Sequence, residues 1–228
     1  MKNMDKNFKI RLACGFGLFF AALVMIYTFD GLPFKIFFGI FAVVSGIELL
    51  SFYKKGFSFG RLILTLLEIA FLVGSSIFIT KIDVVQIWYL IFGVCGYDIF
   101  AYLCGKAIGG KIFKKSRPFP YVSKNKTWEG TILGLTLSIS LVAILIVCLG
   151  RSDYIYLLCG PLALIGDLFE SFLKRRFKVK DSNEIVIKNK VFEKLELVVG
   201  GSEGHGGYLD RIDSAAFAMT ILLLISIL

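Results

Sequence analysis

Four polar side chains between residues 167 and 174 stand at helical spacing inside an apolar stretch. They are Asp167, Glu170, Ser171 and Lys174, at positions i, i+3, i+4 and i+7. These positions share one face of a helix, while the aromatic and aliphatic residues between them fall mostly elsewhere. The stretch therefore predicts an apolar helix that bears a polar stripe with two carboxylates.

Cations and further carboxylates follow this predicted helix. Five Lys and Arg residues occur within 174–180, Asp181 comes directly after them, and Asp210 and Asp213 flank Arg211 at helical spacing. Carboxylate oxygens are ligands for hard divalent cations, whereas Lys and Arg bind phosphate oxygens. The mixture favours a magnesium ion and a polyphosphate bound together.

Three short motifs run in order through this region: S-x-x-K-R, then K-D-S, then H-G-G-x-x-D-R-x-D. Their residues are Ser171, Lys174, Arg175, Lys180, Asp181, Ser182, His205, Gly206, Gly207, Asp210, Arg211 and Asp213. In this order they resemble the signature of the phosphatidate cytidylyltransferases, membrane enzymes also called CDP-diacylglycerol synthases. The chain departs from the family pattern in the spacer before the third motif, which is longer here, and in Glu203-Gly204, which replaces a Pro-Gly pair.

Two stretches nearer the N-terminus resemble the same family. The first matches D-x-x-A-Y-x-x-G with Asp98, Ala101, Tyr102 and Gly105. The second, residues 123–130, is similar to S-P-x-K-T-W-E-G, except that Lys124 replaces the Pro. Lys126 and Thr127 can offer an ammonium and a hydroxyl to phosphate, while Trp128 can anchor at the membrane interface or stack on a base.

The resemblance implies an enzyme that converts CTP and phosphatidic acid into CDP-diacylglycerol and pyrophosphate, with Mg²⁺ required. It implies that the metal ligands are Asp167, Asp210 and Asp213. The catalytic residues that we expect are Asp181, Asp210, Asp213, Lys174 and Arg211. The expected substrate-binding residues are Ser123, Lys126, Thr127, Arg175, Ser182, His205, Gly206 and Gly207. The family also implies a homodimer, and Gly130-x-x-x-Gly134 would permit close helix packing.

The composition is that of a polytopic membrane protein. Hydrophobic residues make up 57% of the 228 residues, above the roughly 45 to 50% that is usual for soluble domains. We predict an all-α fold with about seven transmembrane helices and cytoplasmic active-site loops, because most of the apolar segments approach the ~20 residues needed to span a bilayer. The predicted segments are 12–29, 33–52, 62–80, 84–104, 131–149, 154–173 and 214–228.

The positive charges indicate how these segments are oriented. The net charge is +9, and 23 of the 26 Lys and Arg residues fall in the N-terminal tail or in the loops near 53–61, 105–130 and 174–213. The other side holds only Lys35, Lys81 and Arg151. By the positive-inside rule, the N-terminus and the three large loops should be cytoplasmic in a multi-pass protein of the cell membrane. The basic excess is thus explained by topology and anionic lipid headgroups, and no nucleic-acid partner is expected.

Carboxylates inside the predicted spans are costly, at about 2.5 to 3.5 kcal/mol each on insertion scales. Five of them should lie towards the cytoplasmic end, which suggests a single polar site: Glu48, Glu68, Asp98, Asp167 and Glu170. The five cysteines lie in or beside apolar segments without C-x-x-C spacing, so we interpret them as small core residues.

The resemblance divides the chain into N-terminal transmembrane helices, 1–83, and a catalytic membrane domain, 84–228. Residues 184–201 mix β-branched and charged residues, and we predict a small hairpin there. Three alternatives stay open from the sequence. They are another CTP-dependent lipid enzyme, such as a CDP-archaeol synthase or a polyprenol-type kinase, a transporter that uses intramembrane carboxylates, and an inactive homologue.

Overall fold

The structure, a computed structural model, describes residues 24–51, 58–113, 117–123, 126–177 and 209–228. Within these ranges the chain is helical apart from turns and short connections, and no strand occurs. The predicted all-α class is therefore confirmed. The hairpin predicted at 184–201 lies outside the described residues.

Six α-helices follow one another after a short helical stretch at residues 24–27. They are α1 (Leu32–Ser51), α2 (Phe59–Lys81), α3 (Val84–Ile108), α4 (Trp128–Cys148), α5 (Cys159–Phe177) and α6 (Leu209–Ile227). Two short 3₁₀ helices, Phe29–Gly31 and Tyr154–Leu158, precede α1 and α5.

Five helical stretches are long and apolar enough to cross a membrane, which makes the chain a multi-pass membrane protein. They are Phe29–Ile47, Phe59–Lys81, Val84–Ile108, Trp128–Cys148 and Tyr154–Arg176. The described residues thus contain five such spans, whereas we predicted seven over the whole chain. Most of predicted segment 12–29 lies outside the described residues, and the apolar part of the last helix, Ile212–Ile227, is shorter than the five.

The last helix begins earlier than predicted. We predicted that the preceding loop extends to residue 213, but α6 starts at Leu209, so Asp210 and Asp213 belong to its first two turns. A carboxylate near a helix N-terminus is stabilised by the helix dipole, which favours this earlier start. The two carboxylates therefore stand at the start of an apolar helix rather than in the preceding loop.

Helices α3 and α4 form an unusually close pair. A Cβ atom added at Gly134 would lie 2.8 Å from the Cβ of Ala101, and one added at Gly130 would lie 2.6 Å from the carbonyl oxygen of Ala101. Only glycine permits this approach of the two backbones. The Gly130-x-x-x-Gly134 pattern thus packs against α3 of the same chain.

The main hydrophobic core is built from side chains of all six helices and from Ile26, which precedes them. Its largest fully buried members include Tyr89, Tyr97, Ile79 and Ile87. The cysteine prediction is correct for Cys159, which is buried, but wrong for Cys95 and Cys148, which are exposed.

The end of the bundle that holds the α2–α3 and α4–α5 connections is tied by ion pairs. Arg151 binds Asp83 through Nη2 at 2.6 Å and Asp153 through Nε at 2.7 Å. Lys35 Nζ donates to the carbonyl oxygen of Ile82 at 2.8 Å. Lys35 and Arg151, which we predicted on one side of the membrane, therefore do lie at the same end.

Asp83 also caps α3. Its side chain accepts a hydrogen bond from the backbone N–H of Gln86 at 2.8 Å, and the Gln86 side chain accepts one from the backbone of Asp83, which completes a capping box. Burial acts to raise the pKa of Asp83, but the Gln86 hydrogen bond and Arg151 outweigh it, and the pKa lies below its usual value.

Candidate active site

A half-open cavity of about 490 Å³ lies between α3, α4 and α5 and is bordered by the α3–α4 loop. Its volume is within the range of roughly 300 to 1,000 Å³ typical of ligand sites. The charged residues in its lining are Asp98, Lys106, Arg117, Lys126 and Asp167. Three cations and two carboxylates therefore face a single space at one end of an apolar bundle.

Lys126 is at the centre of this arrangement. Its ammonium forms an ion pair with the Asp167 carboxylate, donates to the Tyr97 hydroxyl at 3.4 Å and lies 5.3 Å from the centroid of the Tyr97 ring. Burial lowers the pKa of Lys126, but Asp167 and Tyr97 raise it more, so the pKa is above its usual value. Lys126 therefore stays charged and connects α5 to α3.

Thr127 fixes the point where α4 begins, directly after Lys126. Its hydroxyl oxygen accepts a hydrogen bond from the backbone N–H of Gly130 at 3.1 Å, as expected of an N-cap threonine. The hydroxyl proton is still available as a donor. Thr127 also lines the cavity, so one side chain both caps the helix and offers a donor to a ligand.

Glu129 holds the α3–α4 loop against the start of α4. Its Oε1 accepts hydrogen bonds from the backbone N–H groups of Ile112 and Phe113, both at 3.0 Å. The side chain is 2% exposed, and its second oxygen is buried without a hydrogen-bond partner. Because this one carboxylate joins the loop at Ile112 and Phe113 to the first turn of α4, it fixes the start of the α3–α4 loop near the cavity.

Behind the cavity, a polar layer crosses the apolar bundle between α2 and α6. These two helices run parallel, with successive contacts between Phe71 and Phe217 and between Gly74 and Thr220. The same register, continued one turn towards the helix N-termini, brings Glu68 level with Asp213. Both carboxylates are buried, at 2% and 7% exposure.

Helix α5 contributes the other members of this layer. A Cβ atom at Gly166 would lie 2.9 Å from the Cα of Ser214, so the adjacent Asp167 lies close to the first turns of α6. One turn further along α5, Glu170 is buried and pairs with Lys174 at 2.8 Å. Glu68, Asp167 and Asp213 thus lie near one level of the bundle, and Glu170 follows one turn further along α5. The prediction that the intramembrane carboxylates share one depth is not tested for Glu48, whose side chain lies outside the description.

A sequence model of the cytidylyltransferase family matches residues 6–187 of the chain. The chain belongs to this family. It is 31% identical to the phosphatidate cytidylyltransferase of Rickettsia felis, over 98% of this chain and 94% of that protein. It is 32% identical to the phosphatidate cytidylyltransferase of Bacillus subtilis, over 85% of this chain and 68% of that protein. No solved structure matches the chain significantly.

In this cytidylyltransferase, three of the predicted site residues meet in the cavity, namely Lys126, Thr127 and Asp167. Three others, Lys174, Arg175 and Asp213, are described but do not line it. Ser123 does not line it either; its backbone N–H donates to the carbonyl oxygen of Phe119 at 2.9 Å.

The remaining predicted site residues are not covered in the same detail. Asp210 and Arg211 belong to the first turn of α6, although their side chains lie outside the description. Five more lie outside the described residues altogether: Asp181, Ser182, His205, Gly206 and Gly207.

Two cations of the cavity were missed as site residues, Lys106 and Arg117. Both were counted among the cytoplasmic cations, because nothing in their local sequence distinguishes them from other loop cations. The matching D-x-x-A-Y-x-x-G stretch ends immediately before Lys106, and this was the available signal. Their common position depends on the fold of the α3–α4 loop around the cavity.

The carboxylates near the cavity fit a hard divalent cation in their chemistry. No three His, Cys, Asp or Glu side chains of the described residues are close enough to hold a metal ion. However, Asp167 and Asp213 come from adjacent helices, and Asp210 precedes Asp213 by one turn on α6. In the same layer, Glu68 Oε2 is buried without a hydrogen-bond partner. Buried carboxylates on adjacent helices are the type of oxygen ligand that a hard divalent cation takes.

Proposed function

We propose that this protein transfers the cytidylyl group of CTP to phosphatidic acid, giving CDP-diacylglycerol and pyrophosphate in phospholipid biosynthesis. Membership of the cytidylyltransferase family supports the reaction type. The names of its relatives support the lipid substrate, because their sequences align with nearly the whole chain. The observation that carries the proposal is the cavity in which Lys106, Arg117 and Lys126 face Asp98 and Asp167 between membrane helices.

The reaction demands little covalent chemistry of the protein. A phosphate oxygen of the lipid attacks the α-phosphorus of CTP, a new P–O bond forms, and the bond to the bridging oxygen breaks as pyrophosphate leaves. The lipid phosphate is already an anionic nucleophile at neutral pH. The protein must hold two anions close together and neutralise the charge that accumulates between them.

The residues of the cavity suit this task. Lys126 is held by Asp167 and Tyr97 at a defined position, so its ammonium is oriented before a phosphate arrives. Arg117 can bind phosphate oxygens with two parallel hydrogen bonds, and the Thr127 hydroxyl adds a donor. The oriented charges need little rearrangement during the reaction.

Mg²⁺ is the expected metal, with Asp167, Asp210 and Asp213 as its protein ligands. When bound, it would neutralise phosphate charge and polarise the α-phosphate. Asp167, one of these proposed ligands, also forms the ion pair with Lys126. We expect Lys126 to fix the orientation of that carboxylate in addition to its contact with phosphate.

We place the cavity at the cytoplasmic end of the bundle, where CTP is available, with the Arg151 cluster at the opposite end. The 23 to 3 distribution of cations supports this orientation. In a background without the native cysteines, a cysteine introduced at position 111 should react with an impermeant maleimide only after the cells are opened. We also retain the homodimer as a proposal, with an interface other than the Gly130 and Gly134 face, which is occupied within the chain.

The proposed function is tested with purified protein, radiolabelled CTP and phosphatidic acid in mixed micelles. We expect label in a chloroform-soluble product only when phosphatidic acid and Mg²⁺ are both present. EDTA should abolish the reaction, and Asp213→Asn should reduce it at least a hundredfold while the protein remains folded. Lipid labelling that requires a polyprenol or an archaeal ether lipid instead would point to one of the other lipid enzymes.

A further inference from the structure

One face of α3 is exposed along its last three turns and continues into the cavity. Ile99, Tyr102 and Leu103 are 55%, 65% and 53% exposed, and Lys106 follows on the same face. Tyr102 and Lys106 also line the cavity. Because α3 spans the membrane, this face meets lipid at the point where the cavity opens.

Lys106 and Tyr102 are associated with each other at this opening. The Lys106 ammonium lies 5.8 Å from the centroid of the Tyr102 ring, within the range of a cation–π contact. Lys106 belongs to the last turn of α3, while Ile99 lies seven residues earlier, about 10 Å deeper in the membrane at 1.5 Å per residue. A cation at the interface and an apolar face beneath it match the two parts of an anionic lipid.

The other two cations of the cavity differ from Lys106 in position. Lys126 is anchored between α3 and α5 by Asp167 and Tyr97. Arg117 belongs to the α3–α4 loop. Neither of them is preceded by an exposed apolar helix face, so both are placed for a ligand that arrives from water.

We propose that Lys106 and Tyr102 bind the phosphate of the lipid substrate at the lipid-facing mouth of the cavity, with its acyl chains along Ile99 and Leu103. This inference rests on the proposed function and assigns one subsite to each substrate. Lys126 and Arg117 hold the nucleotide, whereas Lys106 receives the phosphomonoester of the lipid. The two reacting phosphates then meet within one cavity of about 490 Å³.

A purely structural role for Lys106 makes a different prediction. A lysine in the last turn of a helix interacts favourably with the helix dipole and can extend its ammonium to the membrane interface. In that role its loss would lower stability slightly and leave both substrate affinities unchanged.

The test measures the two half-saturation values separately for Lys106→Ala. We expect the mole fraction of dioleoyl phosphatidic acid at half-maximal rate to rise about tenfold or more, the effect of losing a charged hydrogen bond. The KM for CTP should remain within twofold of wild type. Lys106→Arg should recover most of the lipid affinity, and Tyr102→Ala should weaken it by about two- to fivefold.

Lys111 offers a matched control. It carries the same charge in the same loop region, but its Nζ donates to the carbonyl oxygen of Ala107 at 2.7 Å and it does not line the cavity. Lys111→Ala should leave both half-saturation values unchanged. A similar lipid effect in Lys111→Ala would show that general membrane charge, rather than a site, is responsible.

Direct lipid binding separates this inference from the proposed function. Binding of dioleoyl phosphatidic acid and dioleoyl phosphatidylcholine to the detergent-purified protein is measured by native mass spectrometry without CTP. Weaker phosphatidic acid binding in Lys106→Ala supports the subsite, even if wild type lacks turnover and the proposed function is wrong. Unchanged lipid values in an active Lys106→Ala enzyme overturn the inference and leave the function intact. A higher KM for CTP alone, or a changed oligomeric state, would overturn it as well, by assigning Lys106 to the nucleotide or to a second copy of the chain.

Discussion

Replacing Gly134 by Ala should damage activity although Gly134 does not line the cavity. The new Cβ would lie 2.8 Å from the Cβ and 2.9 Å from the Cα and N of Ala101. Carbon atoms pack at about 3.5 to 4.0 Å, so α3 and α4 would have to separate by roughly 0.7 to 1.2 Å at this level. The backbone atoms of Ala101 cannot rotate away as a flexible side chain could.

The expected magnitudes follow from this displacement. Overpacking of a close helix contact costs about 1 to 3 kcal/mol, and Ala is about 1 kcal/mol better than Gly within a helix, so the net loss of stability is about 0 to 2 kcal/mol. The effect on rate should be larger. The contact lies one turn from Gly130 at the cavity wall, and a displacement near 1 Å can reduce turnover by about a hundredfold.

Gly39→Ala in α1 is the matched control, because no atom lies within 4 Å of its added Cβ. It should be as stable as wild type or more stable, with unchanged turnover. Both variants are compared by labelled-CTP incorporation into lipid and by thermal unfolding in detergent. If Gly134→Ala keeps at least half of the wild-type activity and unfolds no earlier than Gly39→Ala, the reasoning from the α3–α4 contact is wrong.

Three more perturbations test individual contacts. Lys126→Met should lower turnover by about 10² to 10³, the usual loss for one oriented donor, with partial recovery in Lys126→Arg. Because the pKa of Lys126 is raised, its pairing should be complete below pH 10.5 and be lost only as the pH rises above that value, so turnover from pH 6 to 9 should show no lysine-dependent change. Glu129→Ala should destabilise the protein by about 2 to 4 kcal/mol, because two backbone N–H donors lose their acceptor. Glu129→Gln keeps one acceptor oxygen, so it should lose less than half as much stability. Equal losses of the two variants in thermal unfolding would contradict this role of Glu129. Asp83→Ala should cost about 0.5 to 2 kcal/mol through loss of the helix cap, while Asp83→Asn keeps the cap. Because the pKa of Asp83 is lowered, its ionic contribution should be full above pH 3.8 and be lost as the pH falls below it, which unfolding of Asp83→Asn and wild type across pH 3 to 7 would measure.

The helices were predictable because the length of each apolar segment can be read directly from the sequence. The segment predicted at 33–52 corresponds to α1, and the one predicted at 84–104 to the longer α3. The start of α6 was less predictable. Burying a carboxylate in an apolar helix is costly, and this cost alone suggests that Asp210 and Asp213 belong to a loop. The structure provides what a local pattern lacks, a neighbouring polar layer in which Asp213 can lie.

The candidate site was predictable where chemistry and motif coincide, and not where the fold decides. Lys126 and Thr127 come from one motif and Asp167 from the distant polar stripe of 167–174, and the structure brings them into one cavity. Ser123 belongs to the same motif as Lys126 but does not line the cavity, and nothing in the motif distinguishes the two positions. The glycine pair at 130 and 134 predicted a close helix contact, but the sequence alone could not distinguish a partner helix in the same chain from one in a second copy.

The pairing of Lys126 with Asp167 also bears on how the protein is made. The stretch Tyr154–Arg176 has a mean hydropathy of 1.5, against 2.6 for Trp128–Cys148, because it carries the polar stripe. A stretch with such polar residues is inserted into the membrane inefficiently by the translocon when no other helix of the protein is present. Lys126 and α4 are synthesised before α5, so the counter-ion of Asp167 is already present at the membrane when α5 is inserted. Membrane integration of the fifth helix should therefore be cooperative with that of the fourth, and a nascent chain that lacks Lys126 should leave α5 unintegrated more often.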